Sequence, residues 1–440
     1  MGERNADYRG RSVSINPRQI AAEVLIDVLI NSAYSNILLP RTLNKSSLAP
    51  RDKSLVTELV YGTLRLKGRH DQRIASVANR PLAEIDPKVL TILEMGSHQL
   101  FEMRIPSYAA VSGTVDVARS IAGHGSSSFV NAVLRSLTNN NDQSDEQATH
   151  PDWIISSYKD ALKSDEEVTA LVSANNRPAT PTLVAWPGRS SVSELIDEGA
   201  TPLTGTHFAA NYAGNPGELE VVRRRRAGVQ DYGSQLVVEI FAQTKNAAGL
   251  RWLDLCAGPG GKSALLSSLL DPQHDSFLAN EISEPRAQLV KQVIAFGEVV
   301  NSDGRSLEHG TFDRILIDAP CSGIGALRRR PELRWRRSLN DVKNLALLQS
   351  ELLDAATTYL APHGIIGYVT CSPHLHETRA QVRSFLKRHP DYSILPISSL
   401  PISDAEVAKT FENAKMDDGT LQLWTHKHQT DSMFMAMFTR

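Results

Sequence analysis

Phe312-Asp-Arg-Ile-Leu-Ile-Asp318-Ala-Pro-Cys321 is an apolar run of β-strand character that ends in a carboxylate, a proline and a thiol. It predicts a parallel strand followed by a loop, which is where open α/β sheets place their chemistry. Gly364–Thr370 is a second apolar strand candidate, and Cys371 follows it directly. If the two strands are neighbours, Asp318, Cys321 and Cys371 meet at one edge of the sheet.

The chain from Leu250 onward alternates between strand and helix patterns. The predicted strands are Arg251–Leu255, Phe277–Asn280, Glu298–Asn301, Phe312–Asp318, Gly364–Thr370 and Met433–Thr439. The predicted helices are Lys262–Leu270, Pro285–Phe296, Asp341–Leu360 and His376–Arg388. This alternation predicts a Rossmann-like α/β domain with a doubly wound, mostly parallel sheet over residues 246–440.

Residues 1–145 show helical spacing and no strand-type alternation, which predicts an all-α domain. Asn16-Pro17 and Asp86-Pro87 each combine an N-cap residue with proline at the first helical position. Further helices are predicted at Tyr108–Ile121 and Phe129–Leu137, and the polar stretch Asn139–Thr149 predicts a linker.

Residues 151–245 carry weaker patterns that predict a small α/β connector. Pro181–Trp186 and Glu218–Val222 are its strand candidates, and Ser191–Asp197 is its helix candidate. The second strand candidate runs into four successive arginines, which are more often a solvated surface than a binding site.

The overall charge of the chain excludes little. A formal net charge of −2 argues neither for nor against a nucleic-acid partner, so any basic surface must be local. No apolar run approaches the roughly 18 residues of a membrane span. Met1–Ser14 is polar and lacks the apolar segment of a secretory signal peptide. We therefore expect a cytoplasmic protein without membrane contact.

The chain has only three cysteines, Cys256, Cys321 and Cys371. A sparse, odd count with no paired spacing favours a reducing compartment over a disulfide framework. None of them lies in a C-x-x-C zinc pattern, so no metal site is predicted. A lone cysteine is usually a small buried hydrophobe, but all three of these follow predicted strands.

Asp254-Leu-Cys-Ala-Gly-Pro-Gly-Gly-Lys262-Ser263 joins the first strand of the predicted sheet to its first helix. Its glycines let the backbone approach a ligand closely. A phosphate-binding P-loop would need glycine where Cys256 stands, and no dinucleotide G-x-G-x-x-G is present. Glu281 lies 27 residues further on (281 − 254), after the next strand, where an acid binds ribose hydroxyls.

Asp303 follows the third predicted strand and is placed to reach an adenine amino group. Either acid taken singly could be an ordinary surface residue. A ribose-binding acid without a phosphate cradle fits S-adenosyl-L-methionine better than a nucleotide. An ATPase is accordingly the weaker alternative.

D-L-C-A-G-P-G-G-K-S, D-A-P-C-S-G-I-G and T-C-S-P together resemble the motifs of the RNA cytosine-5 methyltransferases. More narrowly, the chain resembles the bacterial RsmB/Sun type, which acts on 16S ribosomal RNA and carries a NusB-like RNA-binding helical domain. Val60-Tyr-Gly-Thr-Leu-Arg65 and Phe129-Val-Asn-Ala-Val-Leu-Arg135 resemble signatures of that domain, and Val229-Gln-Asp231 resembles the entry to the catalytic domain.

The resemblance implies a class I methyltransferase domain with Cys371 as nucleophile and Cys321 as the cysteine that assists release of the product. It also implies a cofactor pocket lined by Cys256, Ala257, Gly258, Pro259, Gly260, Gly261, Lys262, Glu281, Asp303 and Asp318. Gly258 stands where alanine is more usual, and Glu281 where aspartate is common. Asp431–Phe434 also departs from a more typical aspartate-glycine-aromatic run.

The expected activity is methylation of carbon 5 of a cytosine in small-subunit (16S) ribosomal RNA, through a covalent bond between Cys371 and carbon 6. Asp318 is expected at the ring N3 edge of the base. The basic stretch Arg328–Arg337, which contains Trp335, is expected to contact RNA phosphates and bases. Transfer RNA or another RNA as substrate, and a non-catalytic RNA-binding assembly factor, remain alternatives. The oligomeric state stays open, with a monomer as the expectation.

Overall fold

The computed structural model describes residues 16–139, 144–400, 408–409 and 412–440. The prediction on Met1–Ser14 and the centre of the predicted linker lie outside these residues. The chain forms two compact units. The first extends to Thr149 and also includes Arg330–Arg336, and the second comprises His150–Arg329 and Arg337–Arg440.

The first unit is helical, as predicted. Its long helices are α1 Pro17–Leu29, α2 Ser35–Lys45, α3 Pro50–Val77, α4 Pro87–Phe101 and α5 Ser107–Asn139. The side chain of Asn16 accepts a hydrogen bond from the Arg18 N–H (3.0 Å), and Asp86 caps α4 in the same way. Helix α5 changes direction at Gly123, whose φ of 84° only glycine adopts easily. The two helices predicted at 108–121 and 129–137 are its two parts.

The segment Arg330–Arg336 belongs to the helical unit although it lies far away in sequence. The buried Arg334 guanidinium donates to the backbone carbonyls of Arg65 (2.6 Å) and Thr149 (3.1 Å). The Trp335 indole N–H donates to the carbonyl of Leu64 (2.8 Å). These donors therefore serve the protein itself, which differs from the RNA-contacting role predicted for them.

The second unit begins with four helices and a small antiparallel sheet. The helices are α6 Asp152–Leu162, α7 Asp165–Asn175, α8 Val192–Asp197 and α9 Glu220–Arg223. The strands are β1 Thr182–Ala185, β2 Thr201–Pro202, β3 Ala209–Asn211 and β4 Ala227–Val229, in the order β2-β3-β1-β4.

The strand predicted at Glu218–Val222 is wrong, because residues there form helix α9. The Glu198 carboxylate accepts hydrogen bonds from the backbone N–H groups of Glu220 (2.7 Å) and Val221 (3.0 Å), which stabilises the start of this helix. The capping group comes from more than twenty residues away, so the local sequence pattern does not reveal it.

The large sheet carries the predicted α/β topology. Its strands are β5 Arg251–Asp254, β6 Ser276–Asn280, β7 Glu298–Val300, β8 Phe312–Asp318, β9 Leu360–Thr370, β10 Ser393–Ile394, β11 Leu421–Gln422 and β12 Phe434–Thr439. Strands β5 to β9 run parallel in the order β9-β8-β5-β6-β7, and β12 pairs antiparallel with β9.

The remaining helices lie before and between these strands along the chain. They are α10 Tyr232–Ala242, α11 Gly261–Leu269, α12 Glu284–Lys291, α13 Leu333–Arg336 (in the segment of the helical unit), α14 Leu339–Tyr359, α15 Arg379–Arg388 and α16 Thr425–His428. The apolar strands β8 and β9 read as near-continuous hydrophobic runs because helices cover both faces. No helix in the described part of the chain is both long and apolar enough to cross a membrane.

Candidate active site

The two cysteines of the predicted site meet at one edge of the large sheet. Strands β8 and β9 are parallel neighbours, and Asp318 at the end of β8 pairs in register with Val369 near the end of β9. The loops that follow carry Cys321 and Cys371, whose Sγ atoms lie 3.4 Å apart. The sequence separates these thiols by fifty residues, and the parallel pairing removes that separation.

An ion pair lies at the same edge. Lys262, in the first turn of α11, places its Nζ atom 2.9 Å from Oδ2 of Asp318. Burial alone would lower the pKa of Lys262, but the neighbouring Asp318 carboxylate raises it, and the net pKa is raised. Lys262 therefore keeps its charge beside the thiols, and its ammonium lies against Asp318.

The environment distinguishes the cysteines from one another. The hydrogen bond with Cys371, together with burial, raises the pKa of Cys321 well above its usual value. Burial and the nearby carboxylates raise the pKa of Cys256 in the same direction. Cys321 and Cys256 thus keep their protons at neutral pH, and neither is poised as a thiolate.

Arg329 is a second cation near the thiols. Its guanidinium binds the buried carboxylate of Asp431 (Nε to Oδ1, 3.1 Å) and lies 3.7 Å from Asp231. Burial opposes its charge, but the two carboxylates and the Cys371 sulfur raise the pKa of Arg329. The Cys371 sulfur likewise raises the pKa of Lys262, so Cys371 lies within electrostatic range of both cations.

The glycine loop after β5 approaches the acid after β6. The Gly258 N–H donates to Oε2 of Glu281 and the Ser283 N–H donates to Oε1, each at 2.9 Å. The Glu281 side chain is only 4% exposed. A Cβ atom at Gly258 would lie 2.2 Å from Oε2 of Glu281. Glycine at 258 therefore permits this close approach of the loop to a glutamate.

The rest of the loop leaves room for a ligand. Gly260 has φ of 109°, so its conformation favours glycine, and it directly precedes α11. A Cβ atom at Gly261 would have no atom from elsewhere in the chain closer than 3.8 Å, which is an ordinary contact distance. Ala257 is held by a hydrogen bond to the Asn280 carbonyl (2.8 Å), Cys256 is half-buried and Pro259 is exposed.

These residues fit an adenosyl ligand. A carboxylate has about four acceptor positions, and two backbone donors leave Glu281 able to accept two ribose hydroxyls. Ile282 follows it directly with 65% of its side chain exposed, which suits an apolar contact with a flat base. The buried Oδ1 of Asp254 has no hydrogen-bond partner among the described residues, and burial raises the pKa of this carboxyl to about 7, so a polar atom of the side chain remains available at the floor of the loop.

Asp303, predicted to reach the adenine, already has a partner within the protein. Its carboxylate accepts hydrogen bonds from the Arg305 guanidinium (2.6 Å at Nη2). Arg305 also forms an ion pair with Glu351 (2.7 Å). An adenine amino group would have to share Asp303 with this arginine.

Some contributors to the site were missed in the sequence. Ile282 could have been found as an apolar residue beside a predicted ligand acid, and Arg329 lies inside a basic run assigned to RNA. The buried Glu377 contacts the serines that follow both cysteines, and no local pattern marks it. Among the described residues, no cluster of three or more His, Cys, Asp or Glu side chains could hold a metal ion.

Two parts of the chain match models of known protein families. Residues 242–439 match the family model described as 16S rRNA methyltransferase RsmB/F, and residues 15–139 match the NusB family. A Mycobacterium tuberculosis protein that carries the provisional name of a methyltransferase is 40% identical over 454 residues, 96% of each chain. The ribosomal RNA small subunit methyltransferase B of Vibrio cholerae is 32% identical over 403 residues, 86% of this chain and 90% of that one.

Two solved structures share the fold. The crystal structure of PH0851 aligns with a TM-score of 0.81 at 20% identity, covering 97% of this chain and all of that one (100%). The crystal structure of NSun6 from Pyrococcus horikoshii with SFG, an S-adenosylmethionine analogue, aligns with a TM-score of 0.55 at 16% identity, covering 66% and 98%. Both likenesses concern the fold, and the first spans nearly the whole chain.

Proposed function

Because the chain belongs to the 16S rRNA methyltransferase RsmB/F family, and is an S-adenosylmethionine-dependent methyltransferase, we propose that it methylates carbon 5 of a cytosine in small-subunit ribosomal RNA. The reaction proceeds through a covalent bond between Cys371 and carbon 6 of the base. The observation that carries the proposal is the pair of thiols 3.4 Å apart beside the Lys262–Asp318 ion pair.

Carbon 5 of cytosine is a poor nucleophile, so the enzyme must first activate the base. When the Cys371 thiolate adds to carbon 6, the electrons of the 5,6 double bond become available at carbon 5. S-adenosylmethionine, when bound, supplies an electrophilic methyl group. After methylation, a base removes the carbon 5 proton and the bond between carbon 6 and Cys371 breaks.

The charges around the thiols support Cys371 as the nucleophile. It lies within range of the Lys262 and Arg329 cations, which favour a thiolate. Cys321 instead faces Glu377 and Asp318, and its raised pKa keeps its proton in place. A protonated thiol beside the carbon 6 adduct is suited to the elimination step, as a proton donor to the departing Cys371 sulfur.

Lys262 and Asp318 are placed to hold the base. Addition to carbon 6 moves negative charge onto the N3 and O2 side of the ring, and a charged ammonium with a carboxylate hydrogen bonded to it can stabilise that charge. Glu281 and the backbone from Cys256 to Gly261 are the groups that hold the cofactor. Lys262, which the family resemblance assigns to the cofactor pocket, is in this proposal also a contact of the target base.

A cytosine in this site has to leave its stack, so a single-stranded or flipped nucleotide is the substrate we propose. The match of residues 15–139 to the NusB family supports an RNA-binding role for the helical unit. Mapping 5-methylcytosine in ribosomal RNA with and without the gene tests this substrate. A mark lost from transfer RNA, with ribosomal RNA unchanged, would favour the alternative substrate.

The roles of the two cysteines are tested by substituting each alone, so that each variant is the matched control of the other. Cys371→Ala abolishes methylation and any covalent protein–RNA species, because the bond to carbon 6 cannot form. Cys321→Ala still forms that bond but releases it slowly, so a conjugate accumulates that survives denaturing electrophoresis. A stable conjugate with Cys371→Ala and none with Cys321→Ala would reverse the assignment.

A further inference from the structure

Glu377 is a fully buried acid that lies outside the reacting groups. It ends a short turn, Leu375–Glu377, just ahead of α15, and none of its side chain is exposed. Its Oε1 atom accepts the backbone N–H of Ser322 (2.7 Å). Its Oε2 atom accepts the hydroxyls of Ser322 (2.5 Å) and Ser372 (2.6 Å).

The two serines are the immediate neighbours of the two cysteines, since Ser322 follows Cys321 and Ser372 follows Cys371. Their hydroxyls also lie 3.2 Å from each other. One carboxylate therefore joins the loop after β8 to the loop after β9, directly behind the thiols.

A second layer holds the carboxylate itself. Gln349 on α14 donates to Oε1 of Glu377 (3.3 Å) and to the carbonyl of Pro320 (2.8 Å). The Tyr368 hydroxyl bridges from the Glu377 carbonyl (2.8 Å) to Oε1 of Gln349 (3.0 Å). Helix α14, strand β9 and both loops therefore all contribute hydrogen bonds that fix the position of Glu377.

The chemistry of this cluster is that of a carboxylate surrounded by donors. Burial of an acid is unfavourable unless its oxygens are hydrogen bonded, and burial raises the pKa of Glu377 while the bonds from Ser322 and Ser372 oppose that rise. A group with this placement has no access to substrate. Besides its charge, which helps to keep Cys321 protonated, it can fix the loops that it touches.

We propose that Glu377 is a positioning residue that holds Cys321 and Cys371 at the separation that the two-cysteine reaction requires. The proposal rests on the proposed function, because it assigns Glu377 to that same covalent cycle. Glu377 acts through Ser322 and Ser372 and does not contact the base. A misplacement of about 1 Å in a catalytic group can cost about 10²-fold in rate, so loosening both loops affects addition and elimination together.

The test compares Glu377→Ala with Glu377→Gln. Glu308→Gln is the control, because Glu308 is an exposed glutamate elsewhere in the same unit and this variant also loses one carboxylate. Glutamine keeps the size of the side chain, and the serine hydroxyls can reorient to accept from its amide. We expect Glu377→Ala to lower kcat about tenfold or more with little change in KM for S-adenosylmethionine. Glu377→Gln should recover most of the rate, and Glu308→Gln should match wild type.

A second readout measures the thiol separation without the methylation reaction. Diamide takes up two electrons and two protons as Cys321 and Cys371 join in a disulfide, and mass spectrometry follows the loss of the two thiols. Sulfur atoms 3.4 Å apart should react quickly in wild type. Glu377→Ala should slow this step about tenfold or more, and Glu377→Gln should slow it much less.

Because disulfide formation needs no RNA, the positioning role and the proposed function can fail separately. If Cys371→Ala retains methylation, the proposed function fails, whereas the disulfide rates still report on Glu377. If Glu377→Ala keeps the wild-type disulfide rate, or loses kcat at an unchanged disulfide rate, the positioning role is refuted. Should Glu377→Ala not fold, the Ser322→Ala/Ser372→Ala double variant removes both hydroxyl links and keeps only the bond from the Ser322 backbone N–H. Wild-type rates in that variant refute the role.

Discussion

The family resemblance of the sequence motifs implies alanine where Gly258 stands and aspartate where Glu281 stands. The structure indicates that the two residues present here are matched to each other. A Cβ atom at position 258 would lie 2.2 Å from Oε2 and 2.6 Å from Cδ of Glu281. Ordinary contacts begin near 3.4 Å. Gly258→Ala must therefore displace the carboxylate that we assign to the ribose hydroxyls.

The size of the effect follows from this overlap. A carboxylate displaced from the ribose hydroxyls loses its hydrogen bonds to them, which costs about 1–3 kcal/mol of binding free energy. That cost corresponds to a rise of about 5- to 150-fold in the Kd of S-adenosylmethionine. Glu281→Asp withdraws the carboxylate by one methylene, which weakens its bonds to the Gly258 and Ser283 N–H groups when made alone.

The Gly258→Ala/Glu281→Asp double variant restores the fit, because the shorter acid leaves room for the methyl group. We expect it to bind the cofactor more tightly than either single variant, with a coupling energy of about 1 kcal/mol or more. Isothermal titration calorimetry with S-adenosylmethionine measures all four proteins, and Glu284→Asp, an exposed glutamate nearby, controls for the shortening itself. Unchanged affinity of Gly258→Ala, or a double variant whose loss equals the sum of the single losses, would refute the reasoning.

Two further predictions concern buried charges. Burial raises the pKa of Asp254 to about 7, from an ordinary value of 3.8, so the folded protein holds a proton that the unfolded chain releases. The free energy of unfolding should therefore fall as pH rises from about 4 to about 7. Thermal melts across that range should show a smaller dependence on pH in Asp254→Asn than in wild type, and an equal dependence would contradict the assignment. Arg334→Ala should remove the hydrogen bonds that its guanidinium donates to the carbonyls of Arg65 and Thr149, with a loss of about 1–3 kcal/mol. Hydrogen-exchange rates of the helical unit should rise in this variant and not in exposed Arg104→Ala, and equal exchange in the two variants would contradict the prediction.

Much of the large sheet could be predicted because its strands are apolar on both faces and bounded by turn residues. Strand β8 has the predicted limits, Phe312–Asp318, and most neighbouring elements differ only at their ends. Helix α9 was assigned to a strand because Glu198, its capping group, is distant in sequence. Strands β10 and β11, of two residues each, are too short to show any periodicity.

The site residues that could be predicted from the sequence are those that have a distinctive chemistry and lie at or just after the end of a strand. Cys321, Cys371 and Asp318 come together because parallel strands align their ends. Asp303 is bound by Arg305, only two residues away, but Arg305 is also held by Glu351 on α14. Glu377 likewise reaches Ser322 on the loop after β8. Such long-range contacts leave no periodic signal in the sequence.

The helical unit is completed by the segment Arg330–Arg336, which begins 181 residues after Thr149 (330 − 149) and is therefore synthesised much later. Until Glu332, Arg334 and Trp335 are synthesised, the carbonyls of Leu64 and Arg65 and the hydroxyl of Ser35 lack the partners that they have in the finished protein. The N-terminal unit can therefore not reach its final state while only its own sequence has left the ribosome. The ribosome supplies the last segment of this unit just after it has synthesised Cys321. A fragment ending at Thr149 is thus an acceptor for a short peptide of residues 330–336, and adding that peptide in trans should be the way to complete it.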